Sequence, residues 1–269
     1  MENNTPLRVN SIINTKRIIV KIGSNTLTHE SGTLNFRRIE ELAMVLCDLA
    51  GSGRDVILVS SGAVSAGVSK LGLDKKPSDI SGKQACAAVG QANLVNIYEH
   101  FFALYGRNVA QVLLTRDVIN EPQRRRHAHN TFEALLSYGC IPIVNENDTI
   151  ADDELQFSGN DILSAFVAVL TKADLLVNLS DVNGLYDKNP SKYADAKLIT
   201  HVPELTDEIL ACAGGAGSER GTGGMAAKLE AVAIAAAASI PTVVANGSEP
   251  KTLYAIMEGE VNGTYFGEI

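Results

Sequence analysis

Hydrophobic positions along the chain form short continuous runs that alternate with longer amphipathic stretches. The runs are rich in Val, Ile and Leu and cover residues 17–23, 55–62, 108–115, 140–147, 173–181 and 240–247. Continuous apolar runs of this length are typical of strands in a parallel sheet that is covered on both faces. Helical patterns lie between them, over residues 36–52, 63–71, 82–105, 124–138, 160–172 and 224–239. This order predicts an α/β fold, a three-layer αβα sandwich with an open, mostly parallel central sheet.

The composition is that of a globular domain and argues against several classes of protein. The 269 residues are 45% hydrophobic and 20% charged, which is enough for a substantial core. The net charge of −8 disfavours nucleic-acid binding, and no apolar run is long enough to span a membrane. The first residues lack the apolar core of a signal peptide. We therefore expect a polar N-terminal extension over residues 1–15, a single domain over residues 16–269, and a cytoplasmic location.

The cysteines and histidines of the chain do not show the spacing of a metal site. Cys47, Cys86, Cys140 and Cys212 are far apart and lie in apolar patterns. Such cysteines are typical of buried, reduced thiols. We predict no metal site formed by protein side chains alone.

Lysine, serine and glycine residues stand at the ends of the first two predicted strands. Ligands of open α/β sheets bind beyond these carboxyl ends. Lys21 lies within an apolar run and is followed by Gly23 and Ser24. A lysine there is costly to bury unless it meets an anion, although it can also extend to the surface. Ser61 and Gly62 begin a helix and suit a carboxylate or phosphate, although an ordinary helix cap would also explain them.

The most polar stretch of the chain follows the fourth predicted strand. It contains Asn145 and Asp148, and the sequence "SGND" then places Asn160 and Asp161 at the start of an apolar helix. A helix cap accounts for one of these residues and leaves the others unexplained. The stretch therefore predicts a binding wall for a polar ligand.

Two further segments carry candidate nucleotide contacts. Ser180 and Asp181 follow the fifth predicted strand, where they could frame a base or ribose. The sequence "GTGGMAAK" contains Thr222, Gly223, Gly224, Met225 and Lys228. It formally fits a dinucleotide fingerprint, but no strand precedes it, so we interpret it as a glycine-rich clamp over phosphates.

Two lysines from distant parts of the chain, with an acid between them, suit phosphoryl transfer, which depends on positioning and charge neutralisation.

Taken together, these motifs resemble those of the glutamate 5-kinase family within the amino acid kinase superfamily. The resemblance runs from about Lys16 to Phe266 and rests on "VKIGSNTLT", "VSSGAVSAG", "KQACAAVGQ", "LLTRDV", "PIVNENDTIA", "NDILSA", "LSDVNGLYDKNP" and "GTGGMAAK". It implies the amino acid kinase fold and phosphorylation of the γ-carboxylate of L-glutamate by ATP with Mg²⁺, the first step of proline synthesis. It also implies feedback inhibition by L-proline and a homo-oligomer, either a dimer or a tetramer.

The resemblance also implies roles for individual residues. Lys21 and Lys228 would contact the ATP phosphates, and Asp161 would organise the two lysines. Glutamate would be bound by Ser61, Gly62, Asn145, Asp148 and Asn160. The nucleotide would be bound by Lys21, Gly23, Ser24, Ser180, Asp181, Thr222, Gly223, Gly224, Met225 and Lys228.

The sequence departs from the family pattern at two points. Many members carry an acid immediately before the "ND" pair, where this chain has Gly159. Many bacterial members carry a C-terminal PUA domain, which this sequence of 269 residues does not contain.

Two alternative functions fit the same fold. One is a sister kinase that acts on another acid, such as aspartate or N-acetylglutamate, or on isopentenyl phosphate. The other is a ligand-binding sensor without turnover. An N-acetylated substrate would leave Asp148 without an ammonium partner, and an isoprenoid would require an apolar pocket.

Overall fold

The computed structural model describes residues 6–151, 157, 159–213 and 224–269. Its strands are β1 (Leu7–Arg8), β2 (Arg17–Ile22), β3 (Asp55–Ser60), β4 (Val109–Leu114), β5 (Ile141–Glu146), β6 (Leu175–Ser180), β7 (Leu185–Tyr186), β8 (Leu198–Ile199), β9 (His201–Val202), β10 (Thr242–Asn246), β11 (Glu260–Val261) and β12 (Gly263–Phe266). Its helices are α1 (Ser24–Leu27), α2 (Phe36–Gly51), α3 (Ala63–Lys70), α4 (Ile80–Leu104), α5 (Asp117–Asn120), α6 (Pro122–Ser137), α7 (Asn160–Thr171), α8 (Asp207–Ala213), α9 (Met225–Ala237) and α10 (Thr252–Met257).

A mostly parallel sheet forms the centre of the molecule. Among the described residues it has the strand order β4-β5-β3-β2-β6-β10-β12-β9. The strands from β4 to β10 in this order pair in parallel, whereas β12 pairs antiparallel with β10. The predicted three-layer sandwich is confirmed. The antiparallel strand at one side was not predicted, because a four-residue strand gives little periodicity.

Alternation along the strands divides the core between the two faces of the sheet. Ile18, Val20 and Ile22 of β2 belong to the cluster that includes residues of α2, α4 and α10. Ile19 belongs to the cluster that includes residues of α6, α7 and α9. Since successive side chains of a strand point to opposite faces, Lys21 lies on the same face as Ile19, beneath α7 and α9. This periodicity brings a lysine from the centre of the sheet to the start of α7.

Helices α3 and α4 approach each other at two glycines. A Cβ atom added to Gly90 would lie 1.8 Å from the carbonyl oxygen of Ala63, and one added to Gly67 would lie 1.8 Å from that of Cys86. Only glycine permits such backbone contact. The contact holds α4 close to the carboxyl end of β3.

The N-terminal segment is packed against the C-terminal part of the chain. Strand β1 pairs antiparallel with β11, and a 3₁₀ helix follows over Asn10–Asn14. Val9 and Ile12 are buried. The polar extension expected over residues 1–15 is thus folded from Leu7 onward, because its apolar residues cover the core. Residues 1–5 of that extension lie outside the described residues.

Candidate active site

Two lysines and one aspartate form a buried charge cluster at the start of α7. The Nζ atom of Lys21 lies 2.8 Å from Oδ1 of Asp161, and Nζ of Lys228 lies 3.5 Å from Oδ2 of the same carboxylate. The three residues are only 2–4% exposed. Lys21 comes from β2, Asp161 from α7 and Lys228 from α9, so the fold assembles three distant segments of the chain. The structure thus brings together the three residues for which the sequence predicts catalytic roles.

The electrostatics of this cluster leave it with an excess of positive charge. Burial alone would raise the pKa of Asp161, but the ammonium groups of Lys21 and Lys228 outweigh burial and lower it. The carboxylate is therefore ionised at neutral pH. Burial lowers the pKa of Lys21, against the attraction of Asp161 and with the repulsion of Lys228. With both lysines protonated, two ammonium groups share one carboxylate and the trio carries a charge of +1, which favours an incoming anion.

Asn178 completes the contacts of Asp161 and was not predicted from the sequence. Its Nδ2 atom donates to Oδ1 of Asp161 at 2.5 Å. Asn178 is paired with Lys21 in the parallel register of β2 and β6, so both side chains reach the same face of the sheet. The available signal was a single asparagine inside the otherwise apolar run "LLVNLS".

A second cluster, built from hydroxyl and carboxamide groups, lies next to the charge cluster. The Nδ2 atom of Asn160 donates to Oγ of Ser61 at 2.9 Å, to the carbonyl oxygen of Ser60 at 3.0 Å and to Oδ1 of Asn145 at 2.8 Å. These contacts join the ends of β3 and β5 to the first residue of α7. Asn160 and Asp161 are consecutive, so one turn of α7 connects the two clusters. The structure brings together Ser61, Asn145 and Asn160, three of the residues predicted to bind glutamate.

Residues from α4 support this second cluster, and sequence reasoning assigned them no role. Asn145 donates through Nδ2 to Oε1 of Gln91 at 2.9 Å, and the hydroxyls of Ser60 and Tyr98 lie 2.8 Å apart. Gln91, Ser60 and Tyr98 are buried. The carbonyl oxygen of Ser60 can only accept a hydrogen bond, so it fixes the orientation of the Asn160 carboxamide, and through it those of Asn145 and Gln91. The cluster is therefore a directed series of hydrogen bonds.

Two carboxylates follow Asn145 along the chain, that of Glu146 at the end of β5 and that of Asp148 in the turn after it. Burial raises the pKa of Asp148, while the charge of Lys76 opposes this shift. No hydrogen bond joins its carboxylate to another group in the described part of the chain. Glu146 accepts a hydrogen bond from the backbone N–H of Phe157 at 2.7 Å, and burial raises its pKa as well. Asp148 is thus available for a ligand, whereas Glu146 holds the backbone.

Two glycines of the site have backbone angles that other residues disfavour. Gly62 precedes α3 with a φ angle of +106°, and Gly159 precedes α7 with φ of +117° and ψ of 162°. The second combination is essentially restricted to glycine. An acid at position 159, as in many members of the resembled family, would be strained in this backbone.

The ends of β2 and β6 and the start of α9 form the predicted nucleotide side. Asp181 accepts hydrogen bonds from Asn25 at 3.0 Å and from Ser180 at 3.1 Å. Burial would raise the pKa of Asp181, but these bonds outweigh it and lower the pKa. Gly23 leaves space beside Lys21, because an added Cβ atom would lie 3.6 Å from Nζ. Ser24 begins α1.

The glycine-rich segment is only partly described by the structure. Gly224 precedes α9 and Met225 is its first, buried residue. Thr222 and Gly223 were predicted to bind the nucleotide, and they lie outside the described residues.

Within the described ranges, the site does not contain a group of three acidic, histidine or cysteine side chains that could hold a metal ion. The helices described are also too short or too polar to cross a membrane.

Comparison with known proteins identifies the class of protein to which this fold and site belong. Residues 16–246 match the amino acid kinase family. The chain therefore belongs to the amino acid kinase family. Its curated relatives include the glutamate 5-kinase of Clostridium perfringens, 51% identical over 93% of this chain and 95% of the relative. The glutamate 5-kinase of Streptococcus uberis is 47% identical over 93% and 94% of the two chains.

Solved structures of other kinases share the fold. The isopentenyl phosphate kinase of T. acidophilum superposes with a TM-score of 0.63 at 19% identity, over 93% of this chain and all of that one. The carbamate kinase of Giardia lamblia superposes with a TM-score of 0.66 at 13% identity, over 96% and 100%. These similarities confirm the amino acid kinase fold predicted from the sequence.

Proposed function

We propose that the protein transfers the γ-phosphoryl group of ATP to the γ-carboxylate of L-glutamate, giving ADP and L-glutamyl 5-phosphate. This reaction is the first step of proline synthesis, and we expect it to occur in the cytoplasm. One observation carries the proposal. Lys21 and Lys228 both form ion pairs with Asp161, directly beside the cluster of hydroxyl and carboxamide groups that includes Asn145 and Asn160. The identity of the substrate is inferred from the glutamate 5-kinases that match over more than nine-tenths of the chain.

The charge cluster would serve the transferring phosphoryl group. A γ-carboxylate oxygen of glutamate forms the new bond to the γ-phosphorus, and the bond to the β,γ-bridging oxygen breaks with its electron pair leaving on ADP. Negative charge on the phosphoryl oxygens and the leaving oxygen must be neutralised in the transition state. Lys21 and Lys228 supply positive charge from two elements of the fold. Asp161 keeps both ammonium groups in place before the substrates arrive, so little reorganisation is required.

The polar cluster would hold glutamate. Ser61, Gly62, Asn145 and Asn160 offer hydroxyl, amide and backbone groups for the carboxylates of the substrate. Asp148 suits the substrate ammonium by charge: its carboxylate is half-buried, burial raises its pKa, and a bound cation would offset this shift by stabilising the ionised form. The same wall disfavours an N-acetylated acid, which lacks that cation, and an isoprenoid, which needs an apolar surface.

The nucleotide would lie across the ends of β2 and β6. Gly23 and Ser24 would contact the phosphates, and Ser180 and Asp181 the nucleoside. Thr222 to Lys228 would close over the phosphates. Mg²⁺ would enter as MgATP and be held mainly by phosphate oxygens and water, as is usual for this ion. Inhibition by proline and assembly into a dimer or tetramer remain predictions from the family resemblance.

The test is ADP release from MgATP by the purified protein with L-glutamate, L-aspartate or N-acetyl-L-glutamate, in the presence of hydroxylamine to trap an acyl phosphate. We expect turnover and hydroxamate with glutamate alone. The matched control is Asp161→Asn, which keeps the side-chain shape and removes the central charge. Turnover with a different acid would assign the protein to a sister activity. Binding of ATP or glutamate without any turnover would support a sensor.

A further inference from the structure

Asn178 stands at the centre of the sheet, in a position where a polar side chain is unfavourable. It is 1% exposed, lies in the middle of β6, and is paired with Lys21 on one side and Val244 on the other. Its Nδ2 atom donates to Asp161, but its Oδ1 atom is buried and has no hydrogen-bond partner among the described residues. An unpaired buried acceptor destabilises a fold. A leucine would fill similar space without that penalty, so the stability of the sheet does not account for the asparagine.

The contact that Asn178 makes is instead directed at the charge cluster. Oδ1 of Asp161 accepts from both Nζ of Lys21 and Nδ2 of Asn178, and Oδ2 faces Nζ of Lys228. With Oδ1 fixed by two donors from neighbouring strands, rotation of the carboxylate about χ2 would break at least one short hydrogen bond. The second oxygen is therefore kept toward Lys228.

We propose that Asn178 is a positioning residue of the phosphoryl-transfer site: its carboxamide fixes the Asp161 carboxylate in the orientation that holds Lys21 and Lys228 together. It acts through Asp161 and contributes no charge. The proposal rests on the proposed kinase function for its effect on turnover, and its structural content is independent of the substrate.

The groups that surround Asp161 determine how the role of Asn178 depends on pH. They are Lys21 from β2, Lys228 from α9 and Asn178 from β6, with the charge of Asp181 acting on both lysines. The hydrogen bond from Asn178 stabilises the ionised form of Asp161. Without it, Asp161 takes up a proton at a higher pH, and turnover on the acid side fails earlier.

Two substitutions of opposite chemistry test the proposal. Asn178→Leu removes the donor, and we expect kcat to fall about tenfold or more, with the acid limb of the pH profile moved upward and the melting temperature not lowered. Asn178→Asp supplies a donor only while the introduced carboxyl is protonated. Its activity relative to the wild type should therefore be greatest at low pH and fall as pH rises, the opposite trend to Asn178→Leu.

Thr242→Val is the matched control for removal of a buried polar group. Thr242 is 1% exposed on the neighbouring strand β10, and its Oγ1 atom also lacks a hydrogen-bond partner within the part of the chain that the structure describes. Its register partner is Leu176 rather than a site residue, so we expect wild-type turnover and pH profile. A wild-type kcat and pH profile in Asn178→Leu would overturn the proposal. A loss of activity matched by a fall in melting temperature would also overturn it, because Asn178 would then be structural.

A readout without substrate separates this inference from the proposed function. Carboxyl ¹³C NMR of aspartate-labelled protein, assigned with Asp161→Asn, should show that the pKa of Asp161 is higher in Asn178→Leu than in the wild type. An unchanged pKa refutes the positioning role even in an active kinase. A raised pKa in a protein that does not phosphorylate glutamate supports the role of Asn178 and refutes only the substrate.

Discussion

Replacing Lys21 by methionine separates the charge of the buried cluster from its packing. Methionine retains most of the volume of the side chain, and the change lowers the charge of the trio from +1 to zero. Asp161 also contacts Lys228 at 3.5 Å and Asn178 at 2.5 Å, and neither contact involves the substituted side chain. The substitution therefore removes one transition-state cation while leaving the carboxylate with a counter-ion.

The structure sets the expected magnitudes. At an effective dielectric constant of about 20, unit charges at the separation of Lys21 and Asp161 attract by about 6 kcal/mol, and those at the separation of Lys228 and Asp161 by about 5 kcal/mol. Because the second attraction remains, the loss of unfolding free energy should stay below the ~3–5 kcal/mol typical of a buried charge left unpaired. Loss of one preorganised electrostatic contact lowers kcat by about 100- to 1,000-fold, or about 2.7–4 kcal/mol of barrier.

The assay is steady-state ADP release at saturating MgATP and glutamate, with unfolding free energies from urea titration. Lys83→Met, on the exposed surface of α4, is the control and should behave as the wild type. A kcat within about fivefold of the wild type in folded Lys21→Met would refute the role of Lys21. A loss of kcat explained by loss of folded protein would make Lys21 a structural residue.

Three further predictions concern the parts of the site around this cluster. Gln91→Leu removes the acceptor of the Asn145 hydrogen bond and should raise KM for glutamate about tenfold with KM for ATP unchanged. Gln91→Glu keeps acceptor oxygens and should retain most of the affinity for glutamate. Equal KM values for glutamate in steady-state assays of the wild type and both variants would contradict the proposed role of this series of hydrogen bonds. Gly159→Asp should lower the free energy of unfolding by about 1–3 kcal/mol in urea titration because of the φ angle of +117°. Gly139→Asn, at a φ of +71° that asparagine tolerates, should have a smaller effect, and equal effects would argue against backbone strain. Since burial lowers the pKa of Lys21, kcat/KM for MgATP should begin to decline with rising pH below the ordinary lysine value of 10.5. Lys21→Arg is always charged and should not show this alkaline decline. A decline shared by the wild type and Lys21→Arg would assign the titration to another group.

The layered fold could be predicted because burial on both faces of a parallel sheet leaves continuous apolar runs in the sequence. The six predicted strands correspond to β2, β3, β4, β5, β6 and β10, each with its ends shifted by only a few residues. Strands β9 and β12 were missed because two to four residues are too short for a pattern. Residues 7–14 were missed because Val9 and Ile12 bury their side chains within a polar segment.

Site residues were predictable where they follow strand ends and unpredictable where they depend on register. Lys21, Ser61, Asn145 and Asp161 adjoin the carboxyl ends of strands or the start of a helix, where ligands of such sheets bind. Asn178 belongs to the site only because β6 lies beside β2 with this residue opposite Lys21. Gln91 belongs to it only because two glycines let α4 approach α3. Pairing and close approach are properties of the folded chain, which a single sequence does not specify.

With the roles proposed for Asn160 and Asp161, their consecutive placement at the start of α7 would limit the length of the substrate. One residue of an α-helix advances by about 1.5 Å, close to the extent of one methylene group. If Asn160 holds the acid and Asp161 holds the phosphoryl-binding lysines, the distance between them is set by a single peptide unit inside a rigid helix. A shorter acid such as aspartate would then leave a gap of about one methylene group, which a shift of α7 alone would not close. A relative that prefers a shorter or longer acid would therefore be expected to differ at the opposite wall, at the ends of β3 and β5, and not in the start of α7.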